Sequence, residues 1–296
     1  MPGSATECLC REGFATSTRV NMTEAVEIAT VGVIGAGRMG QPIVGHLVRR
    51  GFAATVYDID AGKRQKILEL GAQWADAPST LARECQVILV CVGYDRDVRQ
   101  LLSPSGLLAD RGRATIVAVL STVNPRTMRE VAEAAAPSGV HIVDATMCRG
   151  GRAADEGTLL AFVGGTAEVV ERLRPVLATF SSDIVHTGGV GTAQVAKAAN
   201  NMVMWACLVA DHEALALAKR SGVDVALLRT SLAKTGADNY ALRHWGTHTM
   251  AWAEDDLEVV QAMARDAGIG LPQAGLNREL CRTLKPKRFK LDEYGT

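Results

Sequence analysis

Lys197 and Asn201 stand four residues apart in a stretch, 188–219, reading GGVGTAQVAKAANNMVMWACLVADHEALALAK. After Thr192 it contains no Gly or Pro until Gly222. Residues four apart project from one face of a helix, so an ammonium and a carboxamide lie side by side. Such a pair can move a proton and anchor a polar ligand. The residues alone leave a second reading open: a solvated lysine beside an asparagine that serves only the helix. Yet the helix is apolar nearly all round, with Val195, Ala199, Met202, Ala206, Val209 and Ala216 on one face and Met204, Leu208 and Leu215 on another. It must therefore pack on several sides, where a charge is costly unless paired or neutralised. At ~1.5 Å per residue its roughly 28 residues span about 42 Å, enough to link two domains.

A second group surrounds a glycine turn. The β-branched run at 30–34 passes directly into Gly35, Ala36, Gly37, Arg38, Met39 and Gly40, and a helix-patterned stretch follows as far as Gly51. Strand, G-x-G-x-x-G and helix in that order form a dinucleotide-binding signature. Gly35 permits the tight turn, Gly37 lets backbone approach a pyrophosphate, and Gly40 lets helix pack on strand. A second strand at 54–57 ends at Asp58, 23 residues after Gly35. A carboxylate there accepts from ribose hydroxyls and repels a 2′-phosphate, favouring NAD; the nearby Arg64 leaves NADP use open.

The third group is Cys148, Arg149, Gly150 and Gly151, a guanidinium beside glycine backbone. These residues make an anion site or, equally, a surface hairpin with a water-facing Arg. Asp211, His212 and Glu213 lie mid-helix without a second ligand pair and read as a polar stripe. His244 and His248, four apart, lack a carboxylate or Cys at ligand spacing, so no metal site is expected.

The elements that must carry these residues alternate. Helices are expected at 61–70, 78–84, 95–102, 127–136 and 167–178, and strands at 87–92, 115–120, 140–143, 159–163 and 183–186, with a polar loop between 144 and 159. Alternation of this kind means an α/β fold with a Rossmann-type, doubly wound, mainly parallel sheet, whose ligands sit at the carboxyl ends of the strands. The residues there are the glycine turn, Asp58, Val92, Gly93 and Tyr94, Ser121 and Thr122, and Asp144 onward. Beyond Gly222 only helices are expected, at 225–233, 239–252, 255–267 and 273–284. The expected organisation is a disordered N-terminal extension (1–29), a dinucleotide-binding domain (30–190), an all-α domain (191–285) beginning with the interdomain helix (191–221), and a flexible tail (286–296).

The 296 residues are 48% hydrophobic, and 32 basic side chains balance 32 acidic ones. Neither a nucleic-acid footprint nor a membrane-surface patch follows from such a balance. No run of eighteen apolar residues reads as a membrane span. Seven scattered cysteines without a C-x-x-C pair suit a reducing cytoplasm. The polar first 21 residues lack the apolar core of a secretory signal.

Four blocks, VGVIGAGRMG at 31–40, STVNP at 121–125, DATMCRGGRAADEGTL at 144–159 and GGVGTAQVAKAANN at 188–201, carry a resemblance to the β-hydroxyacid dehydrogenase family over about residues 30–285. The family includes 3-hydroxyisobutyrate dehydrogenases and tartronate semialdehyde reductases. The resemblance implies an NAD(P)-dependent oxidoreductase interconverting a small β-hydroxy acid and its semialdehyde. Lys197 is then the catalytic acid/base, Asn201 holds substrate, Thr122 lies near the nicotinamide, and Cys148, Arg149 and Gly150 form the loop for the substrate carboxylate. EDDLEVVQAMA at 254–264 resembles the block that closes over the cofactor, with Asp256 keeping its role. His248 stands about where the family often has a Phe over the substrate. The helical domain is expected to form homodimers or homotetramers. Departures from the family pattern are Thr146, Cys148 and Arg149 in place of Pro, Ser and Gly, and Asp255 in place of Lys. Alternatives are an imine reductase-like enzyme, which shares the layout, and a catalytically inactive NAD(P)-binding scaffold.

Overall fold

The computed structural model describes residues 28–103, 105–107, 112–247 and 249–295. His248 and residues 1–27, and with them nearly all of the expected extension, lie outside that set. The strands are β1 Thr30–Ile34, β2 Ala53–Tyr57, β3 Gln73–Trp74, β4 Val87–Val90, β5 Ile116–Val119, β6 His141–Cys148, β7 Leu159–Gly164 and β8 Ser181–Gly188. They form a sheet of order β3-β2-β1-β4-β5-β6-β7-β8. Pairing is parallel throughout except between β6 and β7, which run antiparallel. Ile34 at the end of β1 is level with Tyr57 on one side and Val90 on the other. The glycine turn thus leaves the sheet where strand order reverses, the place where such sheets open a ligand crevice.

Helices α1 Gly40–Arg49, α2 Arg64–Glu69, α3 Pro78–Glu84, α4 Asp95–Leu101, α5 Pro125–Ala135, α6 Gly150–Glu156 and α7 Ala167–Leu177 cover the sheet. One face buries Val33, Leu89 and Ala118 against Ile43, Leu47, Leu173 and Phe180. The other buries Ile88, Val90 and Val117 against Leu81, Val98 and Met128. Burial on both faces accounts for strands that read as continuous apolar runs.

Helix α8, Thr192–Arg220, is followed by α9 Val225–Leu232, α10 Tyr240–Arg243, α11 Ala253–Ala267 and α12 Pro272–Leu284. Helix α8 packs both on the β6–β8 part of the sheet and among α10, α11 and α12, the last two reached as early as Ala198 and Met202. Trp205, Leu208, Met250, Leu257 and Leu284 form a core around it. One helix thereby touches the sheet while its own buried apolar residues join the cores of the helical domain.

Three sequence expectations differ from the structure. The segment expected as a loop after Asp144 first continues β6 to Cys148, paired with β7, and then contains α6, which starts once Arg149 and Gly150 have turned the chain at φ 81° and 75° and buries Ala153 and Ala154. The helix expected at 239–252 is helical only over Tyr240–Arg243, because Gly246 and Met250 adopt φ of 91° and 50°. The tail, expected to be flexible, is packed on α8. There Phe289 N–H donates to His212 Nε2 at 2.8 Å, Lys219 pairs with Asp292, and Tyr294 Oη donates to Glu213 at 2.8 Å. The fully buried His212 donates from Nδ1 to the Leu208 carbonyl at 3.2 Å.

Candidate active site

The glycine turn has the shape a dinucleotide requires. Gly35 sits at φ 101°, and a Cβ there would run into the Cys91 carbonyl; a Cβ on Gly40 would run into the Gly35 carbonyl. Around Gly37 nothing lies within 4 Å of a built Cβ, so a side chain at this position would fill the cradle that backbone leaves open. Met39 supplies no side-chain cap to α1, whose first turn holds no acidic residue. The positive end of the helix dipole is left for a phosphate.

The buried Asp58 closes the turn from β2. Its Oδ2 accepts from Ala36 N–H at 2.6 Å and from Lys63 Nζ at 2.9 Å, and Oδ1 accepts from Asp60 N–H at 2.8 Å. Burial works against ionisation, but the Asp60 N–H, the Lys63 ammonium and the Ala36 N–H outweigh it and hold the carboxyl below its usual range. Lys63, rather than the flagged Arg64, neutralises this carboxylate; Arg64 faces Asp76 at 3.6 Å. The side chain of Arg38 turns away from the cradle to grip Asp155 of α6 bidentately at 2.7 and 2.5 Å, tying the turn to the segment that follows Cys148. Half-buried Val92 and exposed Gly93 follow the end of β4, and half-buried Thr122 lies between buried Ser121 and Val123 beyond β5.

At the junction of the two domains, α8 and α11 bring a second group to the end of β6. Lys197 Nζ donates to the Met147 carbonyl at 2.8 Å. Asn201, only 1% exposed, accepts at Oδ1 from Asn200 Nδ2 at 3.0 Å, while its own Nδ2 makes no hydrogen bond of good geometry, its nearest acceptor being the Asp256 carboxyl. A buried unpaired donor costs about 1–3 kcal/mol unless a ligand satisfies it. The Asp256 carboxyl accepts from Trp205 Nε1 at 3.1 Å. Enclosure pushes its pKa up, and the Lys197 charge, Trp205 and the nearby Asn201 amide offset part of that rise. The Cys148 thiol is also pushed up by burial, against the charges of Lys197 and Arg149, so it is no thiolate nucleophile. Cys148, Lys197, Asn201 and Asp256 therefore lie within one another's electrostatic reach.

Arg149 is placed differently from its expected role toward a ligand anion. Its αL backbone sends the guanidinium to the starts of β7 and β8, where it donates to Thr158 O at 3.0 Å and Ser182 Oγ at 2.8 Å and pairs with Asp183 at 2.7 Å. Gly150 behind it keeps open space, with nothing within 4 Å of a built Cβ. Asp256, read from sequence as a cofactor residue, shares the Lys197 cluster. Trp205 and Gln194 were not singled out for the site, whereas Asp144 was expected at the carboxyl end of its strand. Gln194, Lys197, Asn201 and Trp205 follow at helical spacing along α8, and that stripe was the available signal. Among the described residues no group of three His, Cys, Asp or Glu side chains is placed to hold a metal ion.

Residues 30–189 match the family model for the NAD binding domain of 6-phosphogluconate dehydrogenase. Residues 191–293 match the one described as NAD-binding of NADP-dependent 3-hydroxyisobutyrate dehydrogenase. A 3-hydroxyisobutyrate dehydrogenase of Pseudomonas aeruginosa is 33% identical over 252 residues, which cover 82% of this chain and 85% of that protein. Among solved structures, the 3-hydroxyisobutyrate dehydrogenase of Mycobacterium tuberculosis with L-serine superposes with a TM-score of 0.79 at 23% identity, over 88% of this chain and 95% of that one. An imine reductase of Myxococcus stipitatus shares the fold at 20% identity and a TM-score of 0.65, over 88% of this chain and 95% of that one. Both halves match NAD(P)-enzyme models in sequence order, and a relative one third identical spans most of the chain: this is an NAD(P)-binding oxidoreductase, and it belongs to the β-hydroxyacid dehydrogenase family.

Proposed function

We propose that this enzyme interconverts a small β-hydroxy acid and its semialdehyde, with Lys197 as general acid/base and NAD as the preferred cofactor. The observation that carries this reading is the junction cluster. A lysine ammonium and a buried carboxamide whose donor makes no hydrogen bond of good geometry share one helix face beside the end of the nucleotide-binding sheet. The bound nicotinamide supplies a two-electron hydride acceptor. Neutral Lys197 accepts the hydroxyl proton as the carbinol C–H bond breaks and the C–O bond becomes a carbonyl; in reverse, the ammonium protonates the forming alkoxide. Asn201 Nδ2 offers its donor to the substrate, and backbone N–H groups of the 148–150 segment hold the carboxylate. Asp256 balances the charge on Lys197 when it is protonated. The 35–40 turn would hold the pyrophosphate and Asp58 the adenosine ribose, with Val92, Gly93 and Thr122 on the other, β4 and β5 side of the turn, toward the nicotinamide.

L-Serine and 3-hydroxyisobutyrate are the first candidates, because each is a three-carbon chain bearing a carboxylate and a β-hydroxyl. Assembly through the helical domain is supported by Val195, Val203 and Leu217, which leave an apolar line exposed along α8. No helix among the described residues is long and apolar enough to cross a membrane. Steady-state oxidation of a β-hydroxy acid panel with NAD and with NADP tests the reading. Turnover of at least one acid is expected. Inertness toward all of them, with cyclic imines reduced instead, would overturn it.

A further inference from the structure

Gln194 lies three residues before Lys197 and is 1% exposed. Its Oε1 accepts from Val123 N–H at 2.9 Å and its Nε2 donates to the Ser121 carbonyl at 2.9 Å. The two ends of one carboxamide therefore hold the peptide groups on either side of Thr122. Ser121 is tied onward to the segment that leaves β4: its hydroxyl accepts from Val92 N–H at 3.0 Å and donates to the Val92 carbonyl at 2.9 Å. The helix end of the clamp is fixed too. Asp144, fully buried in β6, accepts from Gly191 N–H at 2.7 Å and from Gln194 N–H at 3.1 Å. Gly164 faces Asp144 across the β6–β7 ladder, and a Cβ there would come within 2.5 Å of the carboxyl, so the space for this cap is built into the sheet.

We propose that Gln194 is a positioning residue for hydride transfer: it locks the Thr122 segment, beside the nicotinamide, to the turn of α8 that precedes Lys197. The proposal rests on the dehydrogenase reading above. Hydride transfer is sensitive to small displacements of the reacting atoms, and here acceptor and base are carried by different elements, the β5–α5 connection and α8. Only a side chain with one donor and one acceptor at its tip, at the length of Gln, satisfies both peptide groups. Glutamate at neutral pH keeps the bond to Val123 N–H but presents a second acceptor to the Ser121 carbonyl. Protonated glutamic acid restores the donor.

The test uses Gln194→Glu and Gln194→Leu in the full-length enzyme. Binding of NADH and of ADP-ribose, which lacks the nicotinamide, is measured by calorimetry. Turnover and the deuterium isotope effect on kcat are followed across pH. Both variants are expected to lose about tenfold in NADH affinity while ADP-ribose binding stays within about twofold, and kcat falls about 10- to 100-fold with a larger isotope effect. For Gln194→Glu, the ratio of its kcat to that of the wild type rises again as pH falls and the carboxyl is protonated. A lowered melting temperature with an unchanged NADH to ADP-ribose ratio and isotope effect would overturn the proposal, leaving Gln194 a structural cross-link. If Gln194→Leu does not fold, Gln194→Glu decides by the same criteria. A wild type that oxidises no β-hydroxy acid refutes the dehydrogenase reading, while the binding ratio still judges the clamp.

Discussion

The Lys197 ammonium donates to the main-chain carbonyl of Met147 at 2.8 Å, the residue before Cys148 on β6. The bond fixes the amine at the strand end, where the 148–150 segment begins, and so joins the base to the loop assigned to the substrate carboxylate. Replacing Lys197 by Ala should lower kcat by about 10²- to 10⁴-fold, the usual contribution of a positioned acid/base. NADH affinity should remain within about twofold. Stopped-flow turnover and fluorescence titration read the two quantities separately, and near-normal turnover would dismiss the base.

Asp58 carries a lysine as well as the turn it holds. Asp58→Asn removes charge while keeping one acceptor for Ala36 N–H, and should move the NADP to NAD ratio of kcat/KM about tenfold toward NADP, a change of ~1.4 kcal/mol. Lys63→Ala should move it the other way by uncovering the carboxylate. An unmoved ratio in Asp58→Asn would argue against ribose contact at this position.

Arg149 holds a left-handed conformation at φ 81° that an L side chain adopts at a cost of about 1–2 kcal/mol. Its ion pair with Asp183 is partly exposed and returns only about 0.2–1 kcal/mol. Arg149→Gly is therefore expected to leave the melting temperature within about 4 °C of wild type. KM for the hydroxy acid should change less than about threefold, since the guanidinium serves β7 and β8. A tenfold rise in KM would show that the guanidinium reaches the substrate.

Burial holds the His212 pKa below its ordinary value, against a smaller upward pull from the Leu208 carbonyl. The folded state keeps the neutral imidazole, whose Nε2 accepts from Phe289 N–H, whereas the unfolded chain takes up a proton near pH 6.5. The unfolded state thus binds more protons in the window between the lowered pKa and about 6.5, and stability is lost as pH falls through that window. Trp245, whose ring lies 4.5 Å from His212, reports it. Its fluorescence should change below about pH 6.5 in the wild type, with hydrogen exchange at 286–295 rising in step. A His212→Phe variant should show no such pH-dependent transition.

The glycine spacing, the alternation of apolar runs and the uninterrupted stretch after Thr192 were legible because each is set by local constraint: positive φ at Gly35, period-two or helical burial, and the absence of helix breakers. Lys197 and Asn201 could be placed on one face for the same reason. Helix α6 was missed because it is only seven residues long and opens on Gly150 and Gly151, which read locally as loop, and its burial of Ala153 and Ala154 is set by the packing around it. The tail was misjudged because its charges have partners some 70 or 80 residues earlier on α8, a pairing no local pattern contains.

By itself, then, the sequence determined the dinucleotide turn, the order of the two domains and the helix that joins them. Each follows from what neighbouring residues permit one another to do. Only the tertiary structure decided that Arg149 serves Asp183, that Lys63 covers Asp58, that Asp256 shares the Lys197 cluster and that Gln194 grips the Thr122 segment. Those choices depend on which donor or acceptor comes within about 3 Å once the chain is packed, and buried polar groups take the partners that packing supplies.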